Sequence, residues 1–225
     1  MHFRREVLES VAAGLPPDVR DEMAIPSYLH RNPAIHWLIA RRMSVVLRLM
    51  SLQRGESLLD FGCGVGMLPL QIEPGLARIY ATDLDLAPAQ AFLQAHGRDD
   101  VMLIGATALE AGIADHSLDC AIALEVLEHV DDVGATAAML GRKLRRDGRL
   151  VVCGPTENTL YALGRRVAGF SGAYHHRDVY DFMRDVEKQG FVATRRARIP
   201  LPRPFTLFVA TRYERTALEE PPDSK

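Results

Sequence analysis

The chain has 225 residues, of which 48% are hydrophobic and 25% charged, enough for one large domain with a sizeable core. Its 27 basic and 29 acidic side chains leave a net charge of −2, which excludes the positive excess of a dedicated nucleic-acid binder. Arg41, Arg42, Arg48 and Arg54 interrupt the stretch nearest to a membrane span, no apolar signal core opens the chain, and Cys63, Cys120 and Cys153 stand too far apart for zinc or a disulfide framework, so a cytoplasmic protein is expected.

Residues 1–50 read as a helical cap. Ile35, Leu38, Ile39, Val46, Leu49 and Met50 recur at helical spacing, with Asn32 as cap and Pro33 in the first turn. From residue 51 to 213 the rhythm changes. Short apolar runs at Ser57–Phe61, Arg78–Thr82, Val101–Gly105, Leu118–Leu124 and Arg149–Cys153 predict buried strands. Periodic segments near 66–73, 87–96, 126–146, 157–169 and 176–189 predict helices between and after them. Alternation of this kind indicates an α/β domain with a mostly parallel sheet. Phe191–Ile199 and Phe205–Tyr213 have no helix between them and should pair as an antiparallel hairpin at the sheet edge. Residues 214–225 form a polar tail.

The stretch Leu58-Leu59-Asp60-Phe61-Gly62-Cys63-Gly64-Val65-Gly66 carries a buried strand into three alternate glycines and then a helix. Such a loop lies at the carboxyl end of a first strand, where open α/β sheets bind ligands. The third glycine of a dinucleotide fingerprint is absent, because Met67 and Pro69 occupy the required positions, and no Gly-Lys-Ser/Thr follows. Asp83 ends the second strand, 17 residues after Gly66, as an acid does when it accepts hydrogen bonds from ribose hydroxyls. The ligand therefore has a ribose but no phosphate held by this loop.

On these residues the sequence resembles the class I S-adenosylmethionine-dependent methyltransferases, over roughly 55–160. Asp60-x-Gly62-x-Gly64-x-Gly66 matches the family's first motif, and Asp83 its ribose-binding acid. Ser117-Leu118-Asp119 with Cys120–Leu124 matches the fourth strand, Leu127-Glu128-His129-Val130 the turn after it, and Leu144–Leu150 the approach to the fifth. The resemblance implies a Rossmann-like seven-stranded sheet with a reversed C-terminal strand, helices on both faces and an N-terminal helical lid. It implies S-adenosylmethionine as cofactor, with Asp60, Gly62, Gly64, Gly66, Asp83, Leu84, Leu124 and Glu125 around it. Where relatives carry an acid for the adenine, this chain has Gly105-Ala106-Thr107-Ala108, and Thr107 or backbone groups would substitute. Arg31 and Arg41 are candidates for the cofactor's amino-acid end.

Methyl transfer requires the acceptor to be positioned and relieved of its proton. His129 and His175, with its neighbour His176, are the candidate catalytic histidines; His2, His30, His36, His96 and His116 have no supporting motif. Glu125-x-x-Glu128-His129 also resembles a divalent-cation motif of methyltransferases of ubiquinone biosynthesis and small-RNA ends, but a metal-free site is the preferred reading. Thr156, Glu157 and Asn158 follow the fifth strand and either meet the acceptor or cap the next helix. The expected activity is transfer of a methyl group to a small-molecule acceptor at oxygen. Two alternatives remain: action at a membrane surface or as a partner-binding module, suggested by Trp37 and the Pro-Leu-Pro-Arg-Pro-Phe turn, and methylation of RNA or protein, suggested by Arg195, Arg196, Arg198 and Arg203.

Overall fold

The computed structural model describes residues 1–156, 158 and 179–215. Four helices come first: α1 (Arg5–Ala13), α2 (Pro17–Glu22), α3 (Ile25–Leu29) and α4 (Pro33–Met50). As expected, α4 starts at Pro33, and the Asn32 side chain accepts a hydrogen bond from the Ala34 N–H at 2.9 Å. The chain then alternates through β1 (Ser57–Phe61), α5 (Met67–Leu70), β2 (Arg78–Thr82), α6 (Ala87–Ala95), β3 (Val101–Leu103), α7 (Leu109–Gly112), β4 (Leu118–Leu124), α8 (Val133–Lys143) and β5 (Leu144–Pro155). It closes with α9 (Val179–Glu187), β6 (Phe191–Pro200) and β7 (Thr206–Arg215).

The seven strands form one sheet in the order β3-β2-β1-β4-β5-β7-β6. All neighbours among β1 to β5 are parallel. β7 alone is reversed, because it pairs antiparallel with both β5 and β6. The expected hairpin forms, with β6 at the edge and β7 inside.

Period-two alternation divides the core between the two faces. Leu58, Ile79, Cys120, Ile122, Val151 and Cys153 point toward the side of α1, α3, α4, α5 and α6. Leu59, Ala121, Ala123, Leu150 and Val152 point to the other, toward α7, α8 and α9. The three cysteines are buried and free. No helix among the described residues is long and apolar enough to cross a membrane.

Three expectations are corrected. The helix expected over 126–146 is broken into a 3₁₀ turn at Leu127–His129 and α8, because Asp132 caps a new start by accepting from the Ala135 N–H at 2.8 Å. β5 begins at Leu144 rather than Arg149, since Leu144 pairs with Leu118 before a register shift admits the charged residues between. Glu214 and Arg215, expected in the tail, pair with Val192 and Phe191 in the sheet. The helix expected over 157–169, Glu157, His175 and His176 lie outside the described residues.

Candidate functional site

β1 delivers the glycine loop to the carboxyl edge of the sheet. Gly62, Gly64 and Gly66 all have positive φ, at 77°, 52° and 81°. At Gly62 the requirement is also steric, because a Cβ there would approach the Val126 Cγ2 to 2.3 Å. The loop is stitched to the end of β2: the Gly62 and Cys63 N–H groups donate to the Thr82 carbonyl, at 2.9 and 3.0 Å. Asp83 closes the turn, accepting from the Gly64 N–H through Oδ2 and from the Leu84 N–H through Oδ1, both at 2.7 Å. Each carboxylate oxygen retains further acceptor capacity. Beside it Leu84 is 95% exposed, an apolar side chain with nothing packed on it.

Beneath the loop Asp60 is 1% exposed, and its Oδ2 has no hydrogen-bond partner among the described residues. Burial, with the charge of Asp83 adding to it, pushes the carboxyl up to about 8. The Thr82 hydroxyl is likewise buried without a partner among the described residues. Buried polar groups left this way are rare, and they mark a place where a donor-bearing ligand fits. A glycine cradle without side chains, an acid at the second strand end and an orphaned carboxylate oxygen together suit a cationic, ribose-bearing cofactor.

Glu125 follows β4 in a left-handed conformation, φ 53°, uncommon for a residue with a side chain. Its carboxylate forms an ion pair with Arg42 of α4, which is 2% exposed and lies 4.9 Å from the Phe208 ring centroid. The buried Tyr28 of α3 lies near the same guanidinium, and burial pushes its phenol up to about 12. Arg42 is not singled out by the sequence; Arg31 and Arg41, the candidates for the cofactor's amino-acid end, are exposed.

The helices of residues 1–50 lie across this edge. A Cβ on Gly64 would sit 3.8 Å from Met23, and Glu22 is close enough to His129 to raise its pKa. His129, in the 3₁₀ turn, is exposed, but desolvation of its inner side outweighs the carboxylates of Glu22 and Glu125 and holds it below the usual histidine value. Glu128 is buried, whereas His129 beside it is exposed. The helical face expected to align Glu125, Glu128 and His129 does not form, and no three metal-ligating side chains converge among the described residues.

Leu124 is half-buried next to Glu125, and Thr107 is exposed in a 3₁₀ turn after β3. Thr156 and Asn158 both donate to the Thr206 carbonyl, at 3.0 and 2.6 Å, tying the end of β5 to the start of β7.

Residues 59–152 match a family model described as a methyltransferase domain. The chain is 31% identical over 108 residues to an O-methyltransferase of Aspergillus nomiae, covering 46% of this chain and 48% of that protein. It is 34% identical over 105 residues to a ubiquinone biosynthesis O-methyltransferase of Azorhizobium caulinodans, covering 44% and 40%. The match thus spans about half or less of these relatives. In fold the chain is similar to geranyl diphosphate C-methyltransferase from Streptomyces coelicolor A3(2), with a TM-score of 0.61 over 81% of each chain at 15% identity.

Proposed function

We propose that this chain, whose residues 59–152 match the methyltransferase domain model, is an S-adenosylmethionine-dependent methyltransferase acting on a small-molecule acceptor at oxygen. The observation that carries the reading is the partnerless Asp60 Oδ2 under a glycine loop closed by Asp83. When bound, the cofactor supplies a methyl group on a cationic sulfonium. Asp83 would hold the ribose hydroxyls, Leu84 and Thr107 would receive the adenine, and Leu124 and Glu125 would line the cofactor site. Asp60 would supply a carboxylate to balance the cofactor's positive charge. The glycines Gly62, Gly64 and Gly66 keep side chains out of its path.

Oxygen as acceptor is supported by the names of the two curated relatives. A phenol of pKa about 10 is ionised only about one part in 10³ at neutral pH, a cost of about 4 kcal/mol that a base removes. His129 takes that role, being held in its neutral, basic form at neutral pH. The helices of residues 1–50 serve as the cap that covers the cleft.

Titration calorimetry tests the reading. S-adenosylmethionine and its demethylated product should bind, NAD and ATP should not, and Asp83→Ala should weaken binding by ~1–3 kcal/mol. Binding of NAD in place of S-adenosylmethionine, or unchanged affinity in the variant, would overturn it.

A further inference from the structure

α4 presents one outward stripe. Trp37, Arg41, Ser44 and Arg48, at spacings of three and four residues, are all exposed, whereas Ile39, Met43, Val46 and Met50 are buried against the sheet. The helix has 18 residues and none is acidic. Arg41 and Arg48 have no ion-pair partner among the described residues. Neither has Arg195 on β6, which shares the sheet face of Ala197 and Ile199 that α4 covers.

The apolar part gathers at one end of this face. α4 passes the Phe208 ring at Arg42 and reaches the far end of the sheet at Met50, whose carbonyl accepts from Arg149. Its first turns, with Trp37, come before Arg42 in the chain and so lie toward the carboxyl edge of β5, the edge at which β6 and β7 also turn. That turn exposes Leu201 and Phe205, each at 55%, and Trp37 is 57% exposed.

We propose that this face docks on an anionic lipid surface, with Trp37, Leu201 and Phe205 entering the headgroup region and Arg41, Arg48 and Arg195 lying on the phosphates. Charge complementarity selects this occupant. The whole chain is at −2, so an unpaired cationic face leaves an acidic remainder, and a negative surface attracts the molecule in one orientation. Exposed tryptophan, leucine and phenylalanine set beside arginine are the composition of an interfacial helix rather than of a phosphate-only site. The same edge of the sheet carries the glycine loop. The proposal does not depend on methyl transfer.

Trp37 is the chain's single tryptophan, so its fluorescence reports this face alone. The full chain should sediment with vesicles of phosphatidylcholine mixed with phosphatidylglycerol, and much less with phosphatidylcholine alone. Trp37 emission should move to the blue and be quenched by brominated acyl chains, and added salt should reverse both effects. Arg41→Glu and Arg48→Glu should each weaken vesicle binding about fivefold or more. Phe205→Asp should reduce it too, with thermal unfolding unchanged in all three. Failure to sediment with the mixed vesicles, or equal binding by the charge-reversed variants, would overturn the proposal. So would a concentration-dependent blue shift without vesicles, which would mean self-association, or a Trp37 response to single-stranded RNA that vesicles cannot compete away. Because neither cofactor nor acceptor enters the assay, these failures leave the methyl-transfer reading standing.

Discussion

At Asp60 the absence of a protein partner has a thermodynamic signature. Burial raises the folded-state pKa to about 8 from an ordinary 3.8, so between those values the folded chain holds a proton that the unfolded chain has lost. Stability from this group is therefore full at acid pH and falls as pH rises toward 8, by at most about 1.4 kcal/mol per pH unit. Thermal melts of the cofactor-free chain between pH 5 and 8 should show this decline, and Asp60→Asn should flatten it. A cationic cofactor favours the ionised carboxylate, so at neutral pH its binding should release a proton, read from calorimetry in buffers of different ionisation enthalpy. Asp60→Asn should abolish that release. At His129 the sign is opposite, because desolvation favours the neutral imidazole, and activity should fall as pH drops below the usual histidine range. His129→Ala should cost ~10²–10⁴-fold in turnover and remove that acid limb. Exhaustive chelation should leave the wild type fully active; loss of activity restored by a divalent ion would return the metal reading.

Among the elements, those built on continuous apolar runs were legible and those decided by single polar residues were not. β1, β2 and β4 are buried strands whose bounds follow directly from their sequence runs. The segment after β4 misleads because Val126, Leu127 and Val130 have helical spacing, while the chain actually turns at Glu125 and restarts only at Asp132. A strained φ leaves no trace in the periodicity. Arg42 was legible in principle: it lies three residues after Ile39 and four before Val46, inside the apolar stripe of α4, where an arginine needs an acidic partner. What the sequence could not supply was that partner, since Glu125 is reached only through the packing of α4 across β5, β7 and β6. The glycine loop and Asp83, by contrast, lie close in the chain, and local spacing was enough to bring them together.

Across the whole molecule, α4 joins the residues before β1 to the sheet, and it is anchored at both ends. Arg42 holds it at the ligand edge; Arg149 holds it at the opposite edge. Arg149 is 6% exposed and donates to the carbonyls of Met50 and Ser51 and to both carboxylate oxygens of Glu56, at 3.1 and 2.5 Å. One side chain of β5 thus satisfies the end of α4 and the approach to β1. Arg149→Met should leave those carbonyls and Glu56 without their partner and cost about 3–5 kcal/mol in urea denaturation at neutral pH. The pairing also outweighs the desolvation of Glu56 and holds its pKa below the ordinary 4.5, so its contribution is present above that value and is lost as pH falls through the folded-state pKa. The gap between wild type and Arg149→Met should therefore narrow on acidification, and Glu56→Gln in the variant should recover part of the loss at neutral pH. Since the clamp lies at the far edge from Asp60 and Asp83, the folded fraction of Arg149→Met should bind cofactor with wild-type affinity. A variant as stable as wild type at neutral pH would show that α4 is held by its apolar face alone.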